Sequence, residues 1–320
     1  MTVDGADGPP SPDGAESPRL ARLDIDGRMV TAVVVGDTVS EVVLSWTEAV
    51  AAFADGRSVE VAAAVTGSSV PLAQATLGAP LAPGGDVLCV GLNYRAHQAE
   101  ATSLVDKVRP VPIIFAKSQR AIAAPAEPLV LPESVSEEFD WEVELGVVIG
   151  REAVAIDPDE AFDVIAGYCV MNDITARDLQ HRHQQWHLGK NVPASTPMGP
   201  WVVARDSLDV PPDLQVTLRV NGVVKQRSRT SKLIHDIPAL VSLLSHTTTL
   251  RPGDVIATGT PEGVGYARQP AEFLADGDIV EAEIEGVGAL TNVIVTSTPA
   301  ANPRPAQDRR HDDTSAVAPS

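Results

Sequence analysis

The sequence predicts an α+β fold that is mainly β, and three observations carry that prediction. Past Asp86, apolar runs rich in β-branched residues recur between turn signals: DVLCVGL, VPIIFAK, WEVELGVVIG, GPWVVARD, LQVTLRVNG, GDVIATGT, GDIVEAEIEGVG and LTNVIVTS. Helix-like stretches are few and short. Neither a regular repeat nor the βαβ alternation of a parallel doubly wound sheet is present.

Taken in order, residues 1–18 and 299–320 are rich in Pro, Ala, Asp, Ser and Gly. Segments so poor in large apolar side chains cannot offset their own ordering entropy, so both ends are expected as disordered tails. Residues 19–80 form a small N-terminal β-rich unit in this reading. LARLDIDGRMVTAVVVGDTVSEVVL gives short strands broken by Asp-Gly and Gly-Asp turns, and WTEAVAAFADG gives a helix. The Pro and Gly breaks of GAPLAPGGD close that unit, and residues 86–298 make the main domain. Within it, helices are expected at 158–165, which opens on DPDEAF, at 175–187 and at 237–245.

With 44% hydrophobic residues in 320, the chain can build a large core without disulfides. Its two cysteines, Cys89 and Cys169, lie inside apolar runs and read as small buried hydrophobes rather than nucleophiles. The first residues lack the basic and apolar regions of a secretory signal, and no apolar stretch is long enough to cross a bilayer, so a cytoplasmic location is expected. The net charge of −19, from 24 Lys+Arg against 43 Asp+Glu, repels phosphates and anionic membranes. Nucleic acid and membrane are therefore not expected partners. An acidic substrate would need a local patch of Arg, Lys or metal.

In FDWEVELGVVIG, Asp140, Glu142 and Glu144 alternate with Trp141, Val143 and Leu145, which on a strand sends three carboxylates to one face. A hard dication such as Mg²⁺ or Mn²⁺ would relieve their repulsion, and a solvent-facing acidic strand fits the same alternation. Because GVVIG is apolar on both faces, the acidic end lies at a cleft edge rather than on open surface. The next polar cluster, MNDITARDLQ, offers Asp173, with Arg177 and Gln180 sharing a face if 175 onward is helical. That Arg can bind a carboxylate in a fork and that Gln can donate to a carbonyl. Equally, Arg177 could pair with Asp178 on the surface while Asp173 caps a helix.

The order GLNYRAH, FAKS, DWEVELGVVIG, GYCVMNDITARDLQ, GKNVPASTPMGPWVV, RVNGVVKQ and RPGDVIATGTPEGVG resembles the catalytic domain of the fumarylacetoacetate hydrolase family, over roughly residues 86–296. The resemblance implies a β-roll or sandwich fold, a homodimer, and Mg²⁺ or Mn²⁺ held by Glu142, Glu144 and Asp173. Some members carry a further Asp ligand seven residues before the catalytic His, where this chain has Val90. That departure points to the shorter branch of the family, which acts on acylpyruvates, oxaloacetate and unsaturated 2-oxo diacids.

His97 and Glu100 stand three residues apart, a spacing that brings an imidazole and a carboxylate onto one side of a helical turn. On local sequence they could equally be an ordinary loop histidine and a nearby acid. The resemblance implies that they are the catalytic dyad, on a polar lid running over residues 97–109, and that Lys190 approaches the metal-bound substrate oxygen. His181, His183 and His187 have no shared helical face for a metal and are read as surface or supporting residues. ATGTPEGVG lacks the GK[ST] ending of a phosphate loop and reads as a backbone-lined pocket wall, with Thr260 a candidate substrate contact. Lys117 and Ser118 are candidates for the same wall.

These expectations add up to a metal-dependent enzyme with no organic cofactor, acting on a small 2-oxo acid. Hydrolysis of a C–C bond in an acylpyruvate-like β-diketo acid comes first, with His97 and Glu100 activating water. Decarboxylation or isomerisation of an unsaturated 2-oxo diacid, of the oxaloacetate or 2-hydroxyhepta-2,4-diene-1,7-dioate type, is the alternative. A non-catalytic metal-binding relative is a further one.

Overall fold

A computed structural model describes residues 17–101, 111–182 and 184–296. Its centre is the strand Val143–Ile149, buried along its whole length because it is flanked on both edges and covered on both faces. Alternation then divides its side chains: Val143, Leu145, Val147 and Ile149 enter one apolar cluster and Val148 enters another. Glu144 and Gly146 share the face of Val148 by the same period of two.

A large mixed sheet runs outward from this strand. On one side lie Ile165–Asn172, Thr196–Ala204 and then the N-terminal strands Arg19–Ile25, Arg28–Val35, Thr38–Val42 and Val65–Pro71. On the other lie Val255–Ala257, Val87–Gly91 and Ile113–Lys117. The N-terminal strands join the main sheet through Leu20 opposite Val202 and Arg19 opposite Val203. A second, five-stranded sheet includes Gln215–Val220, Ile279–Ile284 and Gly288–Val295, and it packs across the first to enclose the larger cluster. The fold is thus mainly β, two sheets face to face. Helix Trp46–Ala54, started by a Ser45–Glu48 capping box, covers the other face of the large sheet.

The helix expected at 158–165 is a 3₁₀ segment, Pro158–Val164, and that at 237–245 is the helix Ile237–Ser245. The helix expected over 175–187 is shorter and divided. Thr175–Ala176 is a strand paired with Phe139–Asp140, helix runs only over Arg177–Arg182, and a separate turn covers His187–Lys190. Periodicity alone could not register that pairing, which comes from a segment far earlier in the chain, Asp140 lying opposite Thr175, and keeps Thr175 extended, as suits a β-branched residue.

Topology fixes where the site forms. Val143–Ile149 is antiparallel to both Ile165–Asn172 and Val255–Ala257, so its first residues lie beside the ends of those two strands. Val87–Gly91 is parallel to Val255–Ala257 and ends on the same side. Glu142 and Glu144, Asp173, Gly259 and the segment from Asn93 to Glu100 are therefore delivered to one edge of the sheet. The lid expected over residues 97–109 falls largely outside the described residues, as does His183. Among the described residues no helix is long and apolar enough to cross a membrane.

Candidate metal centre and active site

Val143 pairs with Asn172, and the Asp173 amide donates to the Glu142 carbonyl at 2.8 Å, which sets Glu142 across from Asp173. Glu144, two residues on, shares that face. One carboxylate oxygen from each of Glu142, Glu144 and Asp173 lies within 4.8 Å of the other two, and all three residues are buried. Asp140, expected on the same face, is directed elsewhere. The strand is interrupted at Trp141 and Glu142, and the Asp140 carboxylate takes the Nε of Arg177 at 2.8 Å.

Three cations answer the buried charge. Lys190 Nζ reaches Glu142 Oε2 at 2.6 Å and Asp173 Oδ2 at 2.7 Å, Lys117 Nζ pairs with Asp173 Oδ1, and Arg177 Nη1 meets Glu142 Oε1 at 2.6 Å. Burial opposes ionisation of Glu142, but Lys190 and Arg177 outweigh it and bring its pKa to about 2. Lys190 is likewise held charged, its burial outweighed by Asp173 and Glu142. Glu144 differs. It forms no ion pair among the described residues and accepts only the Gly259 amide, at 2.8 Å. Burial first, then the Asp173 and Glu142 carboxylates, push its pKa well above the usual range. A centre whose third carboxylate resists ionisation for lack of positive charge fits a hard dication, and all-oxygen donors are what Mg²⁺ and Mn²⁺ accept.

His97 is 4% exposed and its Nδ1 lies 2.8 Å from Glu100 Oε1. Both Glu100 oxygens also accept the Gly263 amide, at 3.1 Å each. With Nδ1–H donated to a carboxylate, the imidazole presents Nε2 as its basic nitrogen. The ring is near enough to Glu142 to bear on its charge.

The Gly-rich segment is more than a wall. Its amides hold three acidic side chains: Gly259 donates to Glu144, Gly263 to Glu100, and Gly265 and Tyr266 to Asp140. Gly259 and Gly263 have φ of +102° and +100°, and a Cβ would strike Asn93 at the first and the Lys225 carbonyl at the second. The Thr260 hydroxyl donates to the Val143 carbonyl at 3.0 Å and accepts Gln226 Nε2 at 2.8 Å, so its side chain braces the loop.

Of the other residues singled out in the sequence, Gln180 is buried and its Oε1 accepts Arg177 Nη1 at 3.0 Å. Ser118 stays exposed, capping the turn Gln119–Ala121 through the Arg120 amide at 3.1 Å. His181 packs edge-on to Tyr266, with ring centroids 5.5 Å apart, and His187 is exposed beside Asn191. Val90 is buried apolar core. Cys89 and Cys169 are free and buried; burial and then the Asp173 and Glu144 charges push the Cys89 thiol up, which keeps it unreactive. Two features went unread in the sequence. The direct contact of Lys117 with Asp173 had no local signal, and the seat of Arg177 on Asp140 runs against the alternation that places Asp140 with Glu142.

An acid–base pair with a buried imidazole, beside a cation-lined carboxylate centre on a double-sheet scaffold, defines an enzyme. The chain belongs to the fumarylacetoacetate hydrolase family: the family domain described as fumarylacetoacetate (FAA) hydrolase C-terminal matches residues 86–295. The chain is similar to oxaloacetate tautomerase YisK of Bacillus subtilis, 41% identical over 224 residues, which covers 70% of this chain and 74% of that one. It is also similar to the mitochondrial oxaloacetate tautomerase FAHD2A of Homo sapiens, 42% identical over 228 residues and 71% of each chain. Among solved structures, 5-carboxymethyl-2-hydroxymuconate delta-isomerase from Mycobacterium smegmatis aligns with a TM-score of 0.72 at 36% identity, over 87% of this chain and 100% of its own. The 2-hydroxyhepta-2,4-diene-1,7-dioate isomerase from Mycobacterium marinum aligns with a TM-score of 0.72 at 35% identity, over 88% and 100%.

Proposed function

We propose that this enzyme is a divalent-metal-dependent tautomerase or isomerase that moves a proton on the carbon beside the carbonyl of a 2-oxo diacid of the oxaloacetate type. The observation that carries the reading is the His97–Glu100 pair, hydrogen-bonded at 2.8 Å and braced by the Gly263 amide of the same Gly-rich segment whose Gly259 amide holds Glu144.

Mg²⁺ or Mn²⁺ held by Glu142, Glu144 and Asp173 would supply the Lewis acidity that acidifies the carbon beside a chelated 2-oxo carboxylate. The rest is done by the chain. His97 Nε2 takes the proton from that carbon and returns it to the other end of the enol system. Glu100, fixed by the Gly263 amide, stabilises the imidazolium in between. Lys190 sets a fixed positive charge where the enolate oxygen develops negative charge. Gln180, its carbonyl engaged by Arg177, keeps its amide nitrogen for donation to the substrate. Lys117 holds Asp173 in place.

The same dyad would also serve water activation, and hydrolysis of an acylpyruvate was the first expectation. The tautomerase and isomerase names of several relatives favour proton transfer instead. The family resemblance supports a homodimer. The test is to incubate enol-oxaloacetate, acylpyruvates and unsaturated 2-oxo diacids with enzyme and Mn²⁺, with and without chelator, following enol absorbance and products by mass spectrometry. Accelerated, chelator-sensitive loss of the enol with carbon skeleton intact is expected. Cleavage of acylpyruvate with the enol untouched would establish hydrolysis, and pyruvate with CO₂ would establish decarboxylation; either outcome overturns the proposal.

A further inference from the structure

Arg177 is 2% exposed, and its contacts leave it little freedom. Nε donates to Asp140 Oδ2 at 2.8 Å, Nη1 meets Glu142 Oε1 at 2.6 Å and Gln180 Oε1 at 3.0 Å, and the Tyr266 ring centroid stands 4.4 Å from Cζ. The remaining nitrogen, Nη2, is buried without a hydrogen-bond partner among the described residues. A buried guanidinium N–H left unsatisfied is costly and calls for an explanation beyond the chain's own contacts.

Asp140 is what keeps Nη2 free. The residue is fully buried and does not belong to the carboxylate trio. Its Oδ1 accepts the Trp141 amide at 2.8 Å and the Gly265 amide at 2.6 Å, and its Oδ2 accepts the Tyr266 amide at 3.1 Å. Three backbone donors and the Arg177 Nε–H fill the four acceptor positions of a carboxylate, so Asp140 cannot swing. The guanidinium is planar, and anchoring Nε and Nη1 fixes the direction of Nη2.

We infer that Asp140 is a positioning residue: it pins Arg177 so that Nη2 receives a carboxylate oxygen of the bound 2-oxo acid. This rests on the functional reading above, because it takes the ligand to be an anionic acid at this centre. It also gives the Gly-rich segment a second task, since the amides of Gly265 and Tyr266 hold Asp140 while that of Gly263 holds Glu100.

The experiment is calorimetry on the full-length protein in two steps, Mn²⁺ alone and then oxalate, a planar unreactive dicarboxylate, on the Mn²⁺-loaded protein. Wild type is compared with Asp140→Asn, Arg177→Gln and the double variant. Asp140→Asn should bind Mn²⁺ as wild type does and lose about 10–100-fold in oxalate affinity, the usual effect of removing a residue that orients a binding group. In the double variant, oxalate binding should be no weaker than in Arg177→Gln alone, because Asp140 acts through Arg177. Should Asp140→Asn not fold, Asp140→Ser, which keeps an acceptor for the Gly265 amide, carries the same comparison. Wild-type oxalate affinity in the Asp140 variant, additive losses in the double variant, or equal losses of Mn²⁺ and oxalate would overturn the inference. Failure of Mn²⁺-loaded wild type to bind any 2-oxo or dicarboxylic acid would bring down the functional reading, and this inference with it.

Discussion

Replacing Glu144 with Gln separates the cost of crowding three buried carboxylates from their use. Two unit charges 4.8 Å apart repel by about 3 kcal/mol at an effective dielectric of about 20, and Glu144 has two such neighbours, Asp173 and Glu142. Burial adds to the cost of ionising Glu144, and Lys190 offsets only part of it. The substitution keeps the volume and an oxygen for the Gly259 amide. Because the folded-state pKa of Glu144 is raised, the metal-free wild type keeps its full stability only below the ordinary carboxyl pKa of the unfolded chain and loses it progressively as pH rises from there through the raised folded pKa. Glu144→Gln has no such loss. In chelator, its melting temperature should therefore pull ahead of wild type as pH is raised from acid toward alkali, by about 2 °C per kcal/mol for a chain of this length. With Mn²⁺ the order reverses: wild type gains by ligand linkage and the variant gains little. Differential scanning fluorimetry across pH, with chelator and with Mn²⁺, measures both. A metal-free variant melting below wild type in alkali, or an undiminished Mn²⁺ gain, would refute the electrostatic account.

Three further outcomes follow from the site. Mn²⁺ binding should release protons and tighten as pH rises, because Glu144 must ionise to serve as a ligand; calorimetry in buffers of differing ionisation enthalpy reads the proton count. His97→Ala should retain metal binding and lose about 10²–10⁴-fold in kcat for enol conversion, whereas near-wild-type turnover would remove His97 from the mechanism. Gly263→Ala should lose about 1–3 kcal/mol of stability from strain at φ +100° and lose activity, because the amide holding Glu100 must shift as Ala meets the Lys225 carbonyl; urea unfolding and steady-state rates check the two together.

What the sequence made legible was whatever a strand or a turn writes into neighbouring residues. The alternation in WEVELGVVIG shows which side chains share a face, and the apolar run before Asp173 shows a buried strand ending there. What it hid depends on pairing between distant segments. Gly263 meets Glu100 across 163 residues, and Lys117 meets Asp173 across 56. Asp140 broke its own alternation because Thr175 pairs with it and Arg177 claims its carboxylate. In the same way, the N-terminal strands carry no local sign that Leu20 lies opposite Val202.

Diffraction from crystals grown with Mn²⁺, with data collected at the manganese absorption edge, addresses the metal centre most directly. A single anomalous peak bonded at once to oxygens of Glu142, Glu144 and Asp173 is expected. A peak on other residues, or none at saturating Mn²⁺, would leave His97 and Glu100 without the electron sink their chemistry requires.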